Sequence, residues 1–453
     1  MTLKRVLIAN RGEIAVRIAR AARARGIESV LAASAADTYS LAAREADRTV
    51  VIGPAPARDS YLNAALLVHT AKATGCEAVH PGFGFLSERA SFAQLCEDEG
   101  LIFVGATAES IRLVGDKLSA RALAPAAGVP MASGSLEVAE AQRIAEGIGY
   151  PVITKASAGG GGRGMVVAHG PDDLANDFER ASLEATEAFG DGRLYLERFV
   201  ERARHVEVQV VGDGAGGVLH FGERDCSVQR RYQKMIEEAP AVVLTKATRE
   251  RLRRAAVELL GRISYRGAGT VEFLYDETTE QFYVMEVNAR LQVEHPVSEQ
   301  ICGVDLIQMQ LSIAGGEGLP FAQSQINPRG HCIEVRIIAE DPAQGFRRSP
   351  GRITTWRPPV GTGVRLDTAV GEAAVVSPFY DSMIAKLIVS SSDRADAISR
   401  LRNALDDFEI TGIKTNVTLL RRIVEDPEFI DNRTNTRWLD GSIDRLIDQK
   451  ESV

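Results

Sequence analysis

Short apolar runs alternate with helix-like patterns over the first hundred residues of the chain. Apolar runs at 6–9 and 30–33 flank a segment with Ile14 and Ile18 on one helical face, which predicts a strand–helix–strand unit. Later strands are predicted around Val79 and at 102–104. Such alternation is typical of a mostly parallel α/β sheet. The turn at 10–13 has only one glycine, so it lacks the glycine triplet of a dinucleotide-binding fold and does not support NAD binding.

The pattern is interrupted at 126–130, and two further units follow. A helix near 139–146 precedes two strands, at 151–155 and 165–168, which a glycine-rich loop joins. The predicted elements of the last unit are strands at 205–211 and 218–222, a helix near 249–263, a hairpin at 270–287 and strands from 331 onward. Two amphipathic helices are predicted to close the chain, the first with an apolar face of Ile398, Leu401, Leu405 and Phe408. The fold is therefore predicted to be multidomain, mixing α/β and α+β units.

The composition is that of a globular protein. A length of 453 residues suggests about three domains of the usual size of roughly 100 to 200 residues. The hydrophobic share of 45% and charged share of 25% exclude fibrous, disordered and membrane classes. A formal net charge of −8 argues against nucleic acid or an anionic membrane as the main partner. The five cysteines are widely spaced and no apolar run approaches the ~20 residues of a membrane span, so we expect a cytoplasmic protein.

Four consecutive glycines lie between the two predicted strands of the small unit, namely Gly159, Gly160, Gly161 and Gly162. Without side chains, their N–H groups can close over an anion, which suggests a mobile phosphate lid. The segment is not a Walker loop, because no Gly-Lys-Ser/Thr follows and the next residues are predicted to form a strand. A flexible surface hairpin is the alternative. Lys155 and Lys117 could supply positive charge to phosphate oxygens.

A second glycine-rich segment, 212–217, matches the spacing G-x-G-x-x-G. It lies between two predicted strands, whereas a nucleotide fingerprint requires a strand followed by a helix. We therefore predict a hairpin turn there.

The predicted hairpin around Thr279 places acidic residues opposite each other. If its strands pair symmetrically, Glu272 faces Glu286. The same register pairs Phe273 with Met285 and Tyr275 with Tyr283. At ~5 Å and an effective dielectric constant of 20, two carboxylates repel by roughly 3 kcal/mol. A divalent cation would offset this repulsion, and Asn288, on the same face, adds an oxygen ligand of the type that Mg²⁺ prefers. The alternative is an exposed edge hairpin whose acids point to water.

A cation, an amide and a carboxylate follow this hairpin at alternate positions. Arg290, Gln292 and Glu294 share one face if the strand continues, which could bind and deprotonate a small oxyanion. Arg336 alternates with apolar Val335 and would add a fixed positive charge, although a salt bridge to a neighbour such as Glu334 is the alternative.

With these residues in place, the chain resembles the biotin carboxylase family of ATP-grasp enzymes over essentially its whole length. In the N-terminal part, the matching motifs are Ile8-Ala9-Asn10-Arg11-Gly12-Glu13-Ile14-Ala15, His80-Pro81-Gly82-Phe83-Gly84-Phe85-Leu86-Ser87-Glu88 and Gly115-Asp116-Lys117. Further along, they are Lys155-Ala156-Ser157 with the glycine loop, Glu223-Arg224-Asp225-Cys226-Ser227, Glu237-Glu238-Ala239-Pro240 and Gln292-Val293-Glu294-His295-Pro296.

The resemblance implies a parallel α/β pre-ATP-grasp domain, a two-lobed ATP-grasp fold and a C-terminal β/α extension. The corresponding ranges are an N-terminal domain at 1–114, a linker and lid at 115–203, a large subdomain at 204–330 and a C-terminal domain at 331–453. The implied reaction uses MgATP to convert bicarbonate to carboxyphosphate, whose breakdown carboxylates N1′ of biotin. Manganese is an alternative to magnesium.

The resemblance also implies roles for single residues. ATP would be bound by Lys117, Lys155, Gly159, Gly160, Gly161, Gly162, Met165, Glu197, His205, Gln229 and Leu274. The metal would be held by Glu272, Glu286 and Asn288. Glu294 would take the proton from bicarbonate, and this anion or biotin would contact Arg290, Gln292, Val293, Lys234, Phe83 and Arg336. The catalytic set would be Glu294, Arg290, Arg336 and Lys234, with Arg336 stabilising the oxyanion of the biotin ureido group.

Three positions depart from the family pattern. Tyr232 stands where many relatives have His, Phe83 replaces a Tyr beside the biotin pocket, and Arg198 replaces a Lys. Phe83 lacks a hydroxyl group for hydrogen bonding.

Biotin is expected to arrive on another protein, because the sequence has no Ala-Met-Lys-Met-like biotinylation site. The implied partners are a biotin carboxyl carrier protein, a carboxyltransferase and a second copy of the chain in a homodimer. The expected assembly is acetyl-CoA carboxylase. The alternatives are another ATP-grasp carboxylate–amine ligase and a non-catalytic ATP-binding subunit.

Overall fold

The computed structural model describes residues 3–115, 138–156 and 165–448. The predicted interruption at 126–130, Lys117 and the four glycines at 159–162 lie outside these ranges.

A five-stranded parallel sheet forms the N-terminal unit, with strand order β3-β2-β1-β4-β5. Its strands are β1 Arg5–Ile8, β2 Glu28–Ala33, β3 Arg48–Val51, β4 Ala78–His80 and β5 Ile102–Phe103. The helices are α1 Gly12–Ala24, α2 Leu41–Glu45, α3 Ala64–Ala73, α4 Ala90–Asp98 and α5 Ala108–Gly115. Val6, Leu7 and Ile8 have no exposed surface, as expected for a parallel strand covered on both faces. The predicted parallel α/β unit is confirmed.

A three-stranded antiparallel sheet of order β7-β6-β8 forms the small unit. Its strands are β6 Val152–Ala156, β7 Val166–Ala168 and β8 Leu194–Arg198, and its helices are α6 Val138–Ile148 and α7 Pro171–Phe189. The two predicted strands on either side of the glycine segment are therefore observed, and the segment itself lies outside the described residues.

An eight-stranded antiparallel sheet forms the centre of the molecule, with order β13-β12-β9-β10-β11-β14-β21-β19. Its first six strands along the chain are β9 Ala203–Asp213, β10 Val218–Arg230, β11 Gln233–Ala239, β12 Arg266–Asp276, β13 Gln281–Asn288 and β14 His331–Ile338. The helices in this part are α8 Lys246–Gly261, α9 His295–Cys302 and α10 Leu306–Ala314. The turn between β9 and β10 contains Gly214 at φ 81°, so the rejected nucleotide motif is a hairpin turn, as predicted.

Short strands and four helical segments complete the C-terminal part. The strands are β15 Glu340–Asp341, β16 Arg347–Arg348, β17 Gly351–Arg352, β18 Thr355–Arg357, β19 Val364–Thr368, β20 Val375–Val376, β21 Met383–Ser391 and β22 Glu409–Thr411. The helices are α11 Arg394–Asp406, α12 Val417–Glu425, α13 Pro427–Ile430 and α14 Trp438–Asp448. Within the described ranges, 3₁₀ turns lie at Ala57–Asp59, Gln323–Gln325 and Pro342–Gln344.

The prediction of two closing helices was wrong. After β21 the described chain forms four helical segments. Asp426, in an extended conformation, ends α12, and Pro427 then begins α13. The predicted apolar face of α11 is confirmed, because Ile398, Leu401 and Leu405 are buried in the C-terminal core.

The hairpin formed by β12 and β13 has the predicted pairing of Glu272 with Glu286, but only near its base. A bulge follows, so that Phe273 faces Val284 and Tyr275 faces Phe282. The predicted pairs of Phe273 with Met285 and of Tyr275 with Tyr283 were therefore wrong. A bulge adds one residue to one strand and shifts every pair beyond it, which strand periodicity alone does not reveal.

An ion-pair cluster ties β11 to the C-terminal part. The carboxylate of Glu238 accepts hydrogen bonds from His331 Nε2 at 2.9 Å and Arg394 Nε at 2.7 Å. Burial opposes ionisation of Glu238, but these two partners outweigh it and lower its pKa to about 2. The cluster holds α11 on the large sheet.

Candidate active site

A cleft of about 620 Å³ lies between the small sheet and the large sheet. The predicted site residues that line it are Lys155, Met165, Glu197, His205, Gln229, Lys234, Glu272, Leu274, Glu286, Asn288, Arg290, Gln292, Val293, Glu294 and Arg336. Among the predicted site residues that the structure describes, only Phe83 does not line the cleft. The structure therefore brings these predicted residues together in one cleft, although they come from segments far apart in the chain.

Lys155 of β6 and Glu197 of β8 form an ion pair on the small-sheet wall of the cleft. Lys155 Nζ lies 2.7 Å from Glu197 Oε2, and both side chains are largely buried. The resemblance assigned Lys155 to phosphate and Glu197 to adenine, but here the two groups contact each other. Met165 and Leu274 add apolar side chains to the wall of the cleft, where polar groups such as Gln229 also lie. Ligand sites in proteins commonly combine apolar walls with a few polar groups.

Three glutamates face one another across adjacent strands of the large sheet. In β12, Glu272 is opposite Glu286 of β13 on one side and opposite Glu207 of β9 on the other. Like charges in such positions destabilise a sheet unless cations offset them. Lys234 Nζ supplies one, lying 2.6 Å from Glu207 and 2.9 Å from Glu272. His205 Nε2 lies 3.0 Å from Glu272 and supplies a second when it is protonated.

Burial and neighbouring charges have opposite effects on the pKa values of Lys234, His205 and Glu272. Burial disfavours the charged form of Lys234, yet the surrounding carboxylates of Glu207, Glu272 and Glu294 raise its pKa well above the ordinary value. Burial also opposes protonation of His205, but Glu272 outweighs it and raises the histidine pKa to about 9. The pKa of Glu272 falls well below its usual value, because Lys234 and His205 outweigh its burial. Lys234, His205 and Glu272 are therefore ionised at neutral pH.

Glu294 lies at the end of this row between two cations. Its Oε1 accepts a hydrogen bond from Lys234 Nζ at 2.6 Å, and its Oε2 accepts one from Arg336 Nη2 at 3.0 Å. Only 2% of its surface is exposed. Its burial is outweighed by Lys234 and Arg336, so its pKa is lowered and the group is an ionised carboxylate at neutral pH. A proton acceptor flanked by two cations can bind and deprotonate a small acidic anion.

The segment after β13 does not continue as a strand, so that part of the prediction was wrong. β13 ends at Asn288, and a turn leads into α9. Arg290, Gln292 and Glu294 nevertheless line the same cleft, because the turn folds back towards β12. Gln292 Nε2 donates to Glu272 Oε1 at 2.6 Å.

The N-terminal unit fixes Arg290. The carboxylate of Glu88 accepts hydrogen bonds from Arg290 Nε at 2.8 Å and from Ala289 N at 3.0 Å. Arg290 Nη2 also donates to Asn288 Oδ1 at 3.0 Å. The guanidinium group is therefore held by contacts from two parts of the chain at the wall of the cleft.

The predicted metal ligands converge, but they are bridged by an amide group. Asn288 Nδ2 lies 3.0 Å from Glu272 Oε1 and 3.4 Å from Glu286 Oε1. Two carboxylate oxygens that approach one point form a donor set of the hard type that Mg²⁺ prefers, so these residues fit the ion. Asn288 would have to turn its amide group to present its oxygen, which now accepts from Arg290. The acids face the cleft, so the alternative of an exposed edge hairpin was wrong.

Phe83 lies apart from the cleft, next to a buried lysine. Lys386 Nζ lies 5.9 Å from the centre of the Phe83 ring and donates a hydrogen bond to Val293 O at 2.8 Å. Lys386 has no exposed surface and also pairs with Glu13 of α1 at 3.1 Å. Phe83 therefore lies behind the turn that precedes α9, with Lys386 between the two.

Several residues of the site were missed by the sequence analysis. Glu207 carries two of the ion pairs at the centre, and Arg224, which is fully buried, donates to Glu207, Gln209 and Gln292. A signal was present, since polar positions 205, 207 and 209 alternate with three valines along β9. A strand with period-two polarity presents one polar face. Here that face brings His205 to the cleft, while Glu207 and Gln209 are buried beside it and contact Lys234 and Arg224.

The fold and the site define an ATP-dependent ligase of the ATP-grasp class. A family model described as the ATP-binding domain of the carbamoyl-phosphate synthase L chain matches residues 116–322. Models described as the N-terminal and C-terminal domains of biotin carboxylase match residues 2–111 and 334–441. The chain belongs to the biotin carboxylase family, and it is an enzyme.

Individual relatives are similar along nearly the whole chain. A biotin carboxylase of Nostoc is 47% identical and covers 97% of this chain and 99% of its own. A pyruvate carboxylase subunit of Methanothermobacter thermautotrophicus is 46% identical, covering 96% of this chain and 89% of its own. A crystal structure of the biotin carboxylase domain dimer of Hydrogenobacter thermophilus 2-oxoglutarate carboxylase, with MgADP, ADP and bicarbonate, is 44% identical, has a TM-score of 0.91 and covers both chains completely. The predicted fold class and family are thereby confirmed.

Proposed function

We propose that this enzyme uses MgATP to activate bicarbonate and then carboxylates biotin carried by a separate protein. The observation that carries the proposal is the position of Glu294, a buried carboxylate between Lys234 and Arg336 with Arg290 in the same cleft. This arrangement supplies a base for bicarbonate and three cations for the anions that form from it.

The chemistry assigned to each group follows from its place. Arg290, Gln292 and the backbone of Val293 hold bicarbonate, and Glu294 removes its proton. The oxyanion then attacks the γ-phosphoryl group of ATP, giving carboxyphosphate and ADP, while Lys234 balances the added negative charge. Carboxyphosphate then breaks down to carbon dioxide and phosphate, and this phosphate takes the proton from N1′ of biotin. N1′ attacks carbon dioxide while Arg336 stabilises the oxyanion of the ureido group.

Nucleotide binding is assigned to the opposite end of the cleft. The assigned residues are Lys117, Lys155, Gly159 to Gly162, Met165, Glu197, His205, Gln229 and Leu274. Magnesium would be held by Glu272, Glu286 and Asn288, and it would neutralise phosphate charge. The similar Hydrogenobacter domain, described as a complex with MgADP and bicarbonate, supports this assignment.

We retain the four predicted ranges, 1–114, 115–203, 204–330 and 331–453, as the proposed domain organisation. The five-stranded sheet lies in the first range and the three-stranded sheet in the second. The large sheet runs through the third and fourth ranges, because β14, β21 and β19 extend it from β11.

The final carboxyl acceptor is proposed to be acetyl-CoA. Relatives named for pyruvate and 2-oxoglutarate carboxylation define the competing acceptors. We further propose a homodimer that acts with a biotin carboxyl carrier protein and a carboxyltransferase in the cytoplasm. The five cysteines form no disulfide bonds, and no helix in the described parts of the chain is long and apolar enough to cross a bilayer. Isolation of the biotinylated partner and its carboxyltransferase identifies the acceptor.

ADP release measured with and without bicarbonate and free biotin tests the proposed reaction. We expect release to require bicarbonate and to increase with biotin. Bicarbonate-dependent release that is indifferent to biotin would favour a different ATP-grasp ligase, and no release at all would favour a non-catalytic ATP-binding subunit.

A further inference from the structure

A pair of fully buried glutamates lies behind Arg336, where no substrate contact is assigned. Glu237 of β11 and Glu334 of β14 face each other in the sheet register, and neither has any exposed surface. Arg336 lies two residues beyond Glu334, on the same face of β14. The pair therefore adjoins the cation that Glu294 contacts from the other side.

Within the described ranges, only one of the four carboxylate oxygens in this pair has a hydrogen-bonding partner. Glu237 Oε1 accepts from Arg336 Nε at 2.6 Å. Glu237 Oε2 and both oxygens of Glu334 are buried without a hydrogen bond to any described residue. Buried polar atoms rarely lack partners, and an ionised carboxylate can only accept. A proton on one carboxyl group gives the pair a donor.

The surroundings favour a neutral Glu334. In the pairing of β14 with β21, Glu334 is opposite Ile388. Ile388 belongs to an apolar cluster with Val297 and Ile301 of α9, and this helix packs on β11, β14 and β21. Lys386 of β21 is the nearest further cation, but its amine is bound to Val293 O and paired with Glu13.

The titratable groups that face the pair come from every element around it. They are Arg336 and Cys332 of β14, Lys234 of β11, Cys226 of β10, Lys386 of β21 and Glu294 before α9. Burial, outweighing Arg336, raises the pKa of Glu237 to about 7, and burial raises the pKa of Glu334 well above its usual value despite Lys386. These directions agree with the geometry.

We propose that Glu237 and Glu334 carry one negative charge between them, and that this charge positions Arg336 against Glu294. Two charges would draw the guanidinium group away from Glu294. With no charge, Arg336 would be held by Glu294 alone and would neutralise the base more strongly. With one shared charge, the guanidinium group donates hydrogen bonds to both Glu237 and Glu294, as observed. Glu237 is thus a positioning residue, and Glu334 sets the charge of the pair. The kinetic part of this inference rests on the proposed function.

Infrared spectroscopy of the full chain tests the charge state without reference to activity. At neutral pH we expect the wild type to show the carbonyl stretch of a buried protonated carboxyl group. E334Q should remove this band, whereas E250Q, at an exposed position of α8, should leave it unchanged. Absence of the band in the wild type, or its persistence in E334Q, would overturn the proposal.

Kinetics of the same variants test the positioning of Arg336. We expect E334Q to retain kcat within about twofold, because Gln is a neutral isostere of the protonated acid. E237Q should lower kcat roughly 10-fold, in line with the loss of one charged hydrogen bond, and leave KM for ATP within about twofold. In the double variant, kcat should fall roughly 100-fold or more, because no charge remains in the pair. This fall would exceed the product of the two single-variant decreases in kcat.

The two sets of measurements separate this inference from the proposed function. A double variant whose loss equals the product of the single losses would refute positioning by a shared charge, as would a slow E334Q. If the wild type itself did not act on biotin, the proposed function would fail, but the infrared comparison would still decide the charge of the pair.

Discussion

Replacing Glu294 by Gln removes the proposed base while keeping its size. In the wild type, Oε1 accepts from Lys234 at 2.6 Å and Oε2 accepts from Arg336 at 3.0 Å. Gln has one accepting oxygen, and its NH₂ group can only donate. One of the two cations must therefore face an amide donor, and one charged hydrogen bond is lost.

The expected loss of stability in E294Q follows from these two hydrogen bonds. Loss of one hydrogen bond to a charged group lowers the free energy of unfolding by about 1.5–3 kcal/mol. The protein should still fold, because Lys234 keeps its contacts with Glu207 and Glu272 at 2.6 and 2.9 Å. Without the base, biotin-dependent turnover should fall by roughly 10²–10⁴-fold, the usual contribution of a general base.

The assay is ADP release in the presence of bicarbonate and biotin, with ATP binding measured separately by calorimetry. We expect E294Q to lose turnover while its dissociation constant for ATP stays within about threefold, because the nucleotide end of the cleft is unchanged. E250Q, on the exposed face of α8, is the matched control for the change of charge and should behave as the wild type. Turnover of E294Q within about threefold of the wild type would refute the assignment of Glu294 as the base.

Three further perturbations probe the surroundings of the site. Lys234→Met should lower the free energy of unfolding by about 3–5 kcal/mol in denaturant titration, because it leaves buried carboxylates without their shared cation; a loss below about 1 kcal/mol would contradict the described network. Glu238→Gln should remove about 3 kcal/mol of stability at neutral pH. The pKa of Glu238 is lowered from 4.5 to about 2, because its ion pairs outweigh its burial. The difference in stability between the variant and the wild type should therefore be present above pH 4.5 and vanish as pH falls through 2. A difference that does not depend on pH would contradict the lowered pKa of Glu238. Glu88→Gln should raise KM for bicarbonate roughly fivefold, because Arg290 loses its ion pair with a half-exposed carboxylate, which contributes about 1 kcal/mol. An unchanged KM in a bicarbonate titration would show that Glu88 does not orient Arg290.

Local patterns in the sequence were enough to predict elements whose periodicity is regular. The parallel strands around Val6 and Val30 and the hairpin base at Glu272 and Glu286 were found this way. The pairs beyond the base were not, because a bulge shifts the register without changing the polarity pattern. The number of closing helices was also missed, since Pro427 divides an apolar pattern that continues across it.

The site residues were found where a motif or an alternating face marked them. The partners that set their charge were harder to predict, because they come from strands remote in sequence. Glu207 of β9 reaches Lys234 of β11 because both strands pair with β10, and Glu88 reaches Arg290 from the N-terminal unit. The repulsion between the opposed acids is also offset by Lys234 and a protonated His205, which come from other strands. The pattern of the hairpin alone therefore indicated a metal ion but did not reveal these two cations.

Incorporation of labelled carbon from bicarbonate into biotin tests the central claim most directly. The full-length enzyme is incubated with MgATP, isotopically labelled bicarbonate and free biotin, and the product is analysed by mass spectrometry under alkaline conditions. We predict ATP-dependent formation of biotin carboxylated at N1′ that carries the label. Label-free biotin accompanied by steady, bicarbonate-dependent ADP release would contradict the account.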